Sequence, residues 1–389
     1  MREASNSTSD SAFVLENARL VLSDRLVEQG WLAVANGRIA EFGEGRAPER
    51  GIDLQGDYVL PGLIELHTDH LESHYMPRPK VRWNPLGAVL AYDAQIASAG
   101  ITTVFDSLRV GSDGDSVALG AELWTLSEAI ETADKAGFLR AEHRTHLRCE
   151  LSSVDVIDMV ETYIGRFRAH LLSLMDHTPG QRQFRSIDAW RTYYSRKTAL
   201  SLDELDRLME ARLEAHRTYA TKHRNQTIDI ARKHNIVLAS HDDTTAEHVA
   251  ESVSAGVAIA EFPTTLEAAG ASHAAGIHVM MGAPNIVRGG SHSGNIAAEE
   301  LARAEFLDIL SSDYVPASLL MAAFDLPKRV SSIDLSTAIN CVSKNPAEAA
   351  GLDDRGQLAK DYRADLVRVH ATEEIPVVRN VWREGRIIA

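Results

Sequence analysis

An α/β architecture is what the sequence predicts: a (β/α)8 TIM barrel carrying a small β-sandwich domain formed by the N- and C-terminal segments. Three observations point to it. Short apolar runs alternate with helical stretches from Leu60 to about Gly351, and eight such runs are present. Most are fed by an Ala-rich amphipathic segment ending in Gly, a helix stop signal placed just before the next strand. Segments of β character lie at both chain ends and flank the alternating region. Continuous apolar runs suit parallel strands covered on both faces, and eight of them alternating with helices are what a closed barrel requires. A doubly wound open sheet is the competing fold.

In chain order, residues 1–11 are rich in Ser, Thr and Asn and read as a frayed tail. Residues 12–58 hold FVLENARLVL and GWLAVANGRIAEFGEG and run into GDYVLPG, the runs separated by Gly and Asp turn signals. Residues 351–389, with YRADLVRVH and VVRNVWREGRIIA, share that character, so the two stretches are expected to build one small β domain around a barrel of residues 59–350. The barrel runs are GLIELHTD, GITTVFDSL, HRTHLRCEL, LLSLMDHTP, NIVLASHDD, GVAIAEFP, GIHVMMGAPN and FLDILSSDY. Between His177 and Asn235 the rhythm breaks. There Ser201 with Glu204 forms a capping box, and Leu202, Leu205, Met209 and Leu213 recur at helical spacing. This helix is expected to pack on the barrel or on another subunit, which leaves a homo-oligomer open. The preceding QRQFRSIDAWRTYYSRK interleaves basic and aromatic residues and reads as a candidate lid over the site.

The 389 residues include 40 Lys and Arg against 55 Asp and Glu, a net charge of −15 at pH 7. That argues against nucleic acid as a partner, which needs a basic footprint. Cys149 and Cys341 alone cannot make a disulfide framework, and a reducing cytoplasm is the expected compartment. No apolar run approaches the roughly 18 residues of a membrane span, so no membrane association is expected.

Polar residues of metal-ligand type close the predicted strands. His67 and Asp69 end the first, two apart and so on one face of an extended chain. Glu150 ends the third, His177 the fourth, His241 the fifth, Glu261 the sixth and Asp313 the eighth. Barrel enzymes place their chemistry at these ends. Imidazole and carboxylate without thiolate suit a divalent metal, zinc first, with manganese or iron as alternatives, and one or two ions. The expected ligands are His67, Asp69, Glu150, His177, His241 and Asp313. Glu261 is set apart because a Glu before Phe-Pro can simply shape the turn. His146 and His74 stay open, while His143, His216, His223, His234 and His248 are read as solvated.

The phrase VLPGLIELHTD, the sheet segments at both ends and Asp313 after the last strand resemble the amidohydrolase superfamily of metal-dependent barrel hydrolases. That resemblance implies metals at the barrel mouth, a metal-bound water as nucleophile and the last-strand Asp as proton acceptor. Asp69 stands where a second His is usual, and Glu261 where the sixth strand usually offers His. The ordered strings HTDHLESHYMPRPKVRW, LLSLMDHTPGQRQF, LASHDDTT, EFPTTLEAA and GAPNIVRGGSHSGN resemble more closely the diphosphatases of the carbon-phosphorus lyase pathway. What this implies is hydrolysis of a small-molecule ribose triphosphate to the 5-phosphate and pyrophosphate during growth on phosphonates. The residues suit that chemistry. Asp313 is the candidate base, and His292 a candidate proton donor to the leaving group. Arg78, Lys80 and Arg82 follow the first strand, and Arg288 with the Gly289 and Gly290 amides forms a second candidate phosphate site. Two other readings are a deacetylase or cyclic amidase acting on a C–N bond, and a noncatalytic assembly scaffold. The basic loops disfavour the first, the intact ligand set the second.

Overall fold

The computed structural model describes residues 12–112, 117–182, 187–197, 200–291 and 294–389, so the expected tail lies outside the described residues. The small sheet begins with β1 (Phe13–Val21), β2 (Leu26–Ala35) and β3 (Arg38–Glu44), an antiparallel meander, with β4 (Ile52–Asp53) and β5 (Tyr58–Pro61) added parallel to β1. β2 turns into β3 through Asn36 and Gly37 alone, and their φ values of 54° and 74° are those of a type I′ hairpin, the turn whose twist matches paired strands.

The barrel follows: β6 (Leu63–Thr68), β7 (Ile101–Val110), β8 (Glu142–Glu150), β9 (Leu171–Met175), β10 (Val237–His241), β11 (Ile259–Glu261), β12 (His278–Gly282) and β13 (Ile309–Ser311). Each pairs in parallel with the next, in the order of the eight predicted runs. Ile64, Phe105, Leu171, Ala239, Ile259, Met280 and Ile309 fill the interior as a buried apolar floor, as the layered packing of such barrels demands. Among the described residues β6 and β13 share no ladder, and side chains close that seam. Glu65, fully buried, accepts from the amides of His67 (2.6 Å) and Ser312 and from Ser311 Oγ (2.9 Å), while Thr68 Oγ1 donates to the Asp313 carbonyl at 2.6 Å.

The chain then returns to the first sheet as β14 (Leu366–Ala371), β15 (Pro376–Arg383) and β16 (Arg386–Ile387), with β14 docking antiparallel on β5. The sheet curls on itself: Trp382 of β15 stacks on Phe13 of β1 at 6.2 Å although β14 and β5 lie between them in the ladder order. Leu15, Leu20, Leu32, Ile39, Leu54 and Leu366 fill the space so enclosed, whereas Val21, Leu60, Val367, Val369 and Val381 join the core shared with the barrel helices. Glu142, at the start of β8, locks sheet to barrel by accepting from Arg355 (2.7 Å) and Arg363 (2.5 Å). Burial alone would raise its pKa, but the two guanidinium groups outweigh that and hold it well below the usual carboxylate range. A lowered folded-state pKa contributes stability at pH above the unfolded value and loses it as pH falls below. Glu142→Gln is therefore expected to cost about 2 kcal/mol near neutrality, less than a fully buried pair because Glu142 is partly exposed. Its melting-temperature deficit, followed by circular dichroism, should shrink as the pH is taken below the ordinary Glu range.

The insertion between β9 and β10 is helical: Ile187–Lys197, Leu202–Ala215, a π turn at His216–Ala220, and Thr221–His234. Ser201 and Glu204 form the predicted capping box, with Ser201 N donating to Glu204 Oε2 at 2.8 Å. Leu205 and Met209 bury against Trp190 and Tyr194, so the preceding helix covers part of the predicted apolar face. The π turn inserts a residue and rotates the face presented to the barrel. His216 then reaches Asp176 (2.7 Å), and His223 is buried against the Leu151 carbonyl (3.1 Å), so neither is the solvated residue expected. His143 differs in the same way. It lies on the outward face of β8, held between Asp106 (2.9 Å) and Asp93 (3.4 Å), whose charges outweigh the effect of burial and raise its pKa to about 9. No described helix is long and apolar enough to cross a membrane.

Candidate active site

Strand alternation selects what enters the barrel mouth. On β8, His146, Arg148 and Glu150 share the inward face; on β7, Phe105, Ser107 and Arg109 do so. Ser107 Oγ and the Leu66 carbonyl sit 3.1 and 2.9 Å from His146 Nδ1 and orient that ring.

Glu261, at the end of β11, is the centre of the cluster. Its Oε1 lies 3.2 Å from His67 Nδ1 and 3.5 Å from His146 Nε2, and its Oε2 lies 3.0 Å from His241 Nδ1. His241 Nε2 in turn approaches Asp242 Oδ2 at 3.3 Å, and the His177 ring stands 5.7 Å away. Two groups can each hold a metal ion, His67 with His146 and Glu261, and His177 with His241 and Asp242, their donor atoms mutually within 4.8 Å. The backbone folds sharply to make this arrangement. Asp242, Phe262 and Asp313, next after β10 and β11 and two after β13, have φ of 57°, 53° and 53°. Left-handed backbone costs about 1–2 kcal/mol at a non-glycine residue and persists only where surrounding structure enforces it. Here the amides of Asp242 and Phe262 are fixed by the Glu261 and Met280 carbonyls (2.9 and 2.8 Å). Phe262 walls the site, its ring 5.0 Å from His67 and 5.4 Å from His241.

The electrostatics fit a cation. Burial drives His67 well below the usual imidazole pKa and takes His146 and His241 down to about 3, so all three rings are neutral donors. Burial pushes Asp242 up to about 8 and, with Asp69 beside it, Asp313 up to about 7. His67 Nδ1, Glu261 Oε1 and Asp242 Oδ2 are buried without a hydrogen bond, the condition that a coordinated ion relieves. Glu150 is already paired: Oε2 meets His177 Nδ1 at 2.6 Å and Oε1 accepts from the His177 amide at 3.1 Å. Burial alone would raise Glu150, but His177 outweighs it and holds the carboxyl at about 2. This pair fixes the ring and leaves Nε2 to face His241. Asp69 begins the helix His70–Tyr75 and lies 3.3 Å from Arg148 Nη1.

A sequence profile of the amidohydrolase family matches residues 94–389. The chain belongs to the amidohydrolase family. It is 46% identical over 376 residues to the alpha-D-ribose 1-methylphosphonate 5-triphosphate diphosphatase of Escherichia coli, covering 96% of this chain and 99% of that one. An adenine deaminase of Dehalococcoides mccartyi is 30% identical over 186 residues, 44% of this chain and 32% of that protein. Among solved structures, the N-acetyl-D-glucosamine-6-phosphate deacetylase of Mycobacterium smegmatis superimposes with a TM-score of 0.64 at 16% identity, over 97% of this chain and 100% of that one, a likeness of fold.

In this amidohydrolase the other expected site residues stand farther out. Arg78 and Lys80 are exposed on the turn after the His70–Tyr75 helix, and Arg82 is engaged with Glu122 at 2.6 Å. Arg288 is exposed at the end of the helix Ala283–Arg288. The Gly289 and Gly290 amides donate to the Ile286 and Asn285 carbonyls at 3.1 and 2.9 Å, closing that helix, so they are not offered to a ligand. His292 lies outside the described residues, as do residues 183–186 of the basic and aromatic segment. Within that segment Arg182 is buried, bonded to Asp243 and to the His241 carbonyl (3.3 Å), and so anchors the end of β10. The insertion roofs one side of the mouth: a cavity of about 190 Å³ lies between Glu150, His177 and Ser153 on the barrel and Leu208, Arg212 and Tyr219 above. His146, Asp242, Arg109 and Arg148 were not assigned from sequence. The signal for His146 and Arg148 is their two-residue spacing with Glu150 on one strand.

Proposed function

We propose that the protein hydrolyses α-D-ribose 1-methylphosphonate 5-triphosphate to the 5-phosphate and pyrophosphate, using one or two divalent cations at the barrel mouth. The observation that carries this is the cluster of neutral imidazoles around Glu261 in a chain 46% identical, over almost its whole length, to a diphosphatase of that name. His67, His146 and Glu261 would hold one ion, and His177, His241 and Asp242 another, with Asp69, Glu150 and Asp313 bordering them. Zinc suits this nitrogen and oxygen set best, with manganese and iron compatible. Such a cation, when bound, polarises phosphoryl oxygen and lowers the pKa of water from 15.7 to about 7. Two buried thiols, Cys149 and Cys341, agree with a cytoplasmic enzyme.

The chain's own residues divide the remaining work. Asp313 accepts the proton of the attacking water, from the rim beside Asp69. Arg78, Lys80 and Arg288 hold outer phosphates from their exposed positions and offset their charge. Water oxygen bonds to the phosphorus nearest the ribose, and the bond from that phosphorus to the bridging oxygen breaks. The bridging oxygen leaves with pyrophosphate. Hydrolysis in ¹⁸O-labelled water is therefore expected to place the label in the ribose 5-phosphate product. Label in pyrophosphate, read by mass spectrometry, would mean attack at the middle phosphorus and sink this assignment.

A further inference from the structure

Arg148 lies two residues past His146 and two before Glu150, so it enters the mouth on the face that carries both. Its ladder neighbours are Arg109 on β7 and Ser173 on β9, which sets two arginines side by side at one level of the barrel. The Arg148 side chain is 14% exposed; Nη1 stands 3.3 Å from Asp69 Oδ2, and Nε is buried with no hydrogen-bond partner. The strand face shared with His146 and Glu150 and the contact with Asp69 place the guanidinium beside the candidate metal ligands; its charge acts on His67, Glu72, Asp242 and Asp313, and that of Arg109 on Glu72 and Glu150.

A fixed positive charge beside a cation site repels the cation, and a buried donor left unpaired costs about 1–3 kcal/mol. Both penalties are offset only when the occupant brings several negative charges and a fan of acceptor oxygens. An amide or acetyl group brings neither. A phosphoryl group brings both, and its oxygens match the planar fork of a guanidinium. Depth then distinguishes the cations. Arg78 and Lys80 are exposed on a turn and Arg288 at a helix end, whereas Arg148 lies on β8 between His146 and Glu150 and is 14% exposed.

We propose that Arg148, aimed by Asp69 and flanked by Arg109, grips the phosphoryl group under attack and holds it among the candidate metal ligands, while the exposed cations take the outer phosphates. This rests on the triphosphate reading above. The test compares Arg148→Gln, Arg148→Lys and Arg109→Gln with wild type in steady-state hydrolysis of the ribose triphosphate, in calorimetric binding of inorganic pyrophosphate, and in metal content. Arg148→Gln is expected to lower kcat about 100-fold or more and to weaken pyrophosphate binding about tenfold, with metal content unchanged. Arg148→Lys, which keeps the charge but not the fork, should recover only part. Arg109→Gln should mainly raise KM. If Arg148→Gln does not fold, the Lys variant and the pyrophosphate titration carry the test. Wild-type kinetics in Arg148→Gln, or activity lost in proportion to lost metal, overturns the assignment. A wild-type protein that leaves the ribose triphosphate intact yet binds pyrophosphate through Arg148 upholds the assignment and overturns the substrate reading, so the two failures are distinguishable.

Discussion

Asp313→Asn is expected to lower kcat by about 10³, within the range for loss of a general base, while KM for the triphosphate changes by no more than a few-fold. The substitution is nearly isosteric. It keeps an acceptor oxygen at the rim and leaves the Asp313 carbonyl that Thr68 binds at 2.6 Å, but the amide cannot take a proton from water. Steady-state kinetics with metal content measured on the same preparations decides the matter. A kcat near wild type would move the base elsewhere, and a parallel loss of metal would make Asp313 a ligand first.

Removal of the metal is expected to have the larger effect. Exhaustive chelation should abolish pyrophosphate release, and added zinc or manganese should restore it. His67→Ala and His241→Ala should each reduce activity by at least about 10³ and lower the ion count per chain, because each belongs to a different candidate group. Their circular dichroism should stay that of wild type. Neither ring belongs to the apolar floor of Ile64, Phe105, Leu171 and Ile259. Full activity in the chelated protein would end the mechanism.

The fold was legible because barrel strands must be apolar on both faces and must end in a turn, and both leave marks in sequence. The eight runs are β6 to β13 in order, and His67, His177 and His241 were readable because they sit at the ends of those runs. What lies inside a run was harder. HRTHLRCEL carries polar residues on both faces of β8, and only its register against β7 and β9 makes His146 and Arg148 inward and His143 outward. Glu261 was set apart on its Phe-Pro neighbours. Yet the turn it precedes runs through left-handed backbone at Phe262, a conformation that a phenylalanine sequence does not announce. Asp242 was missed for the same reason. Partners distant in sequence, such as Asp93 for His143 or Glu142 for Arg363, leave no local trace at all.

A ladder resists separation along its whole length, whereas a few side-chain bonds resist it only where they stand. The barrel has seven joints of the first kind and, among the described residues, one of the second, where Glu65 spans 247 positions of chain to reach the Ser312 amide and Thr68 and Ser311 add a bond each. His67 and Asp313 stand on opposite lips of that joint. The gap between a candidate ligand and the candidate base is thus set by a clasp that the rest of the barrel does not duplicate. Breathing of the cylinder should begin there, and a change at Glu65 would retune the spacing of the two residues without recutting any strand.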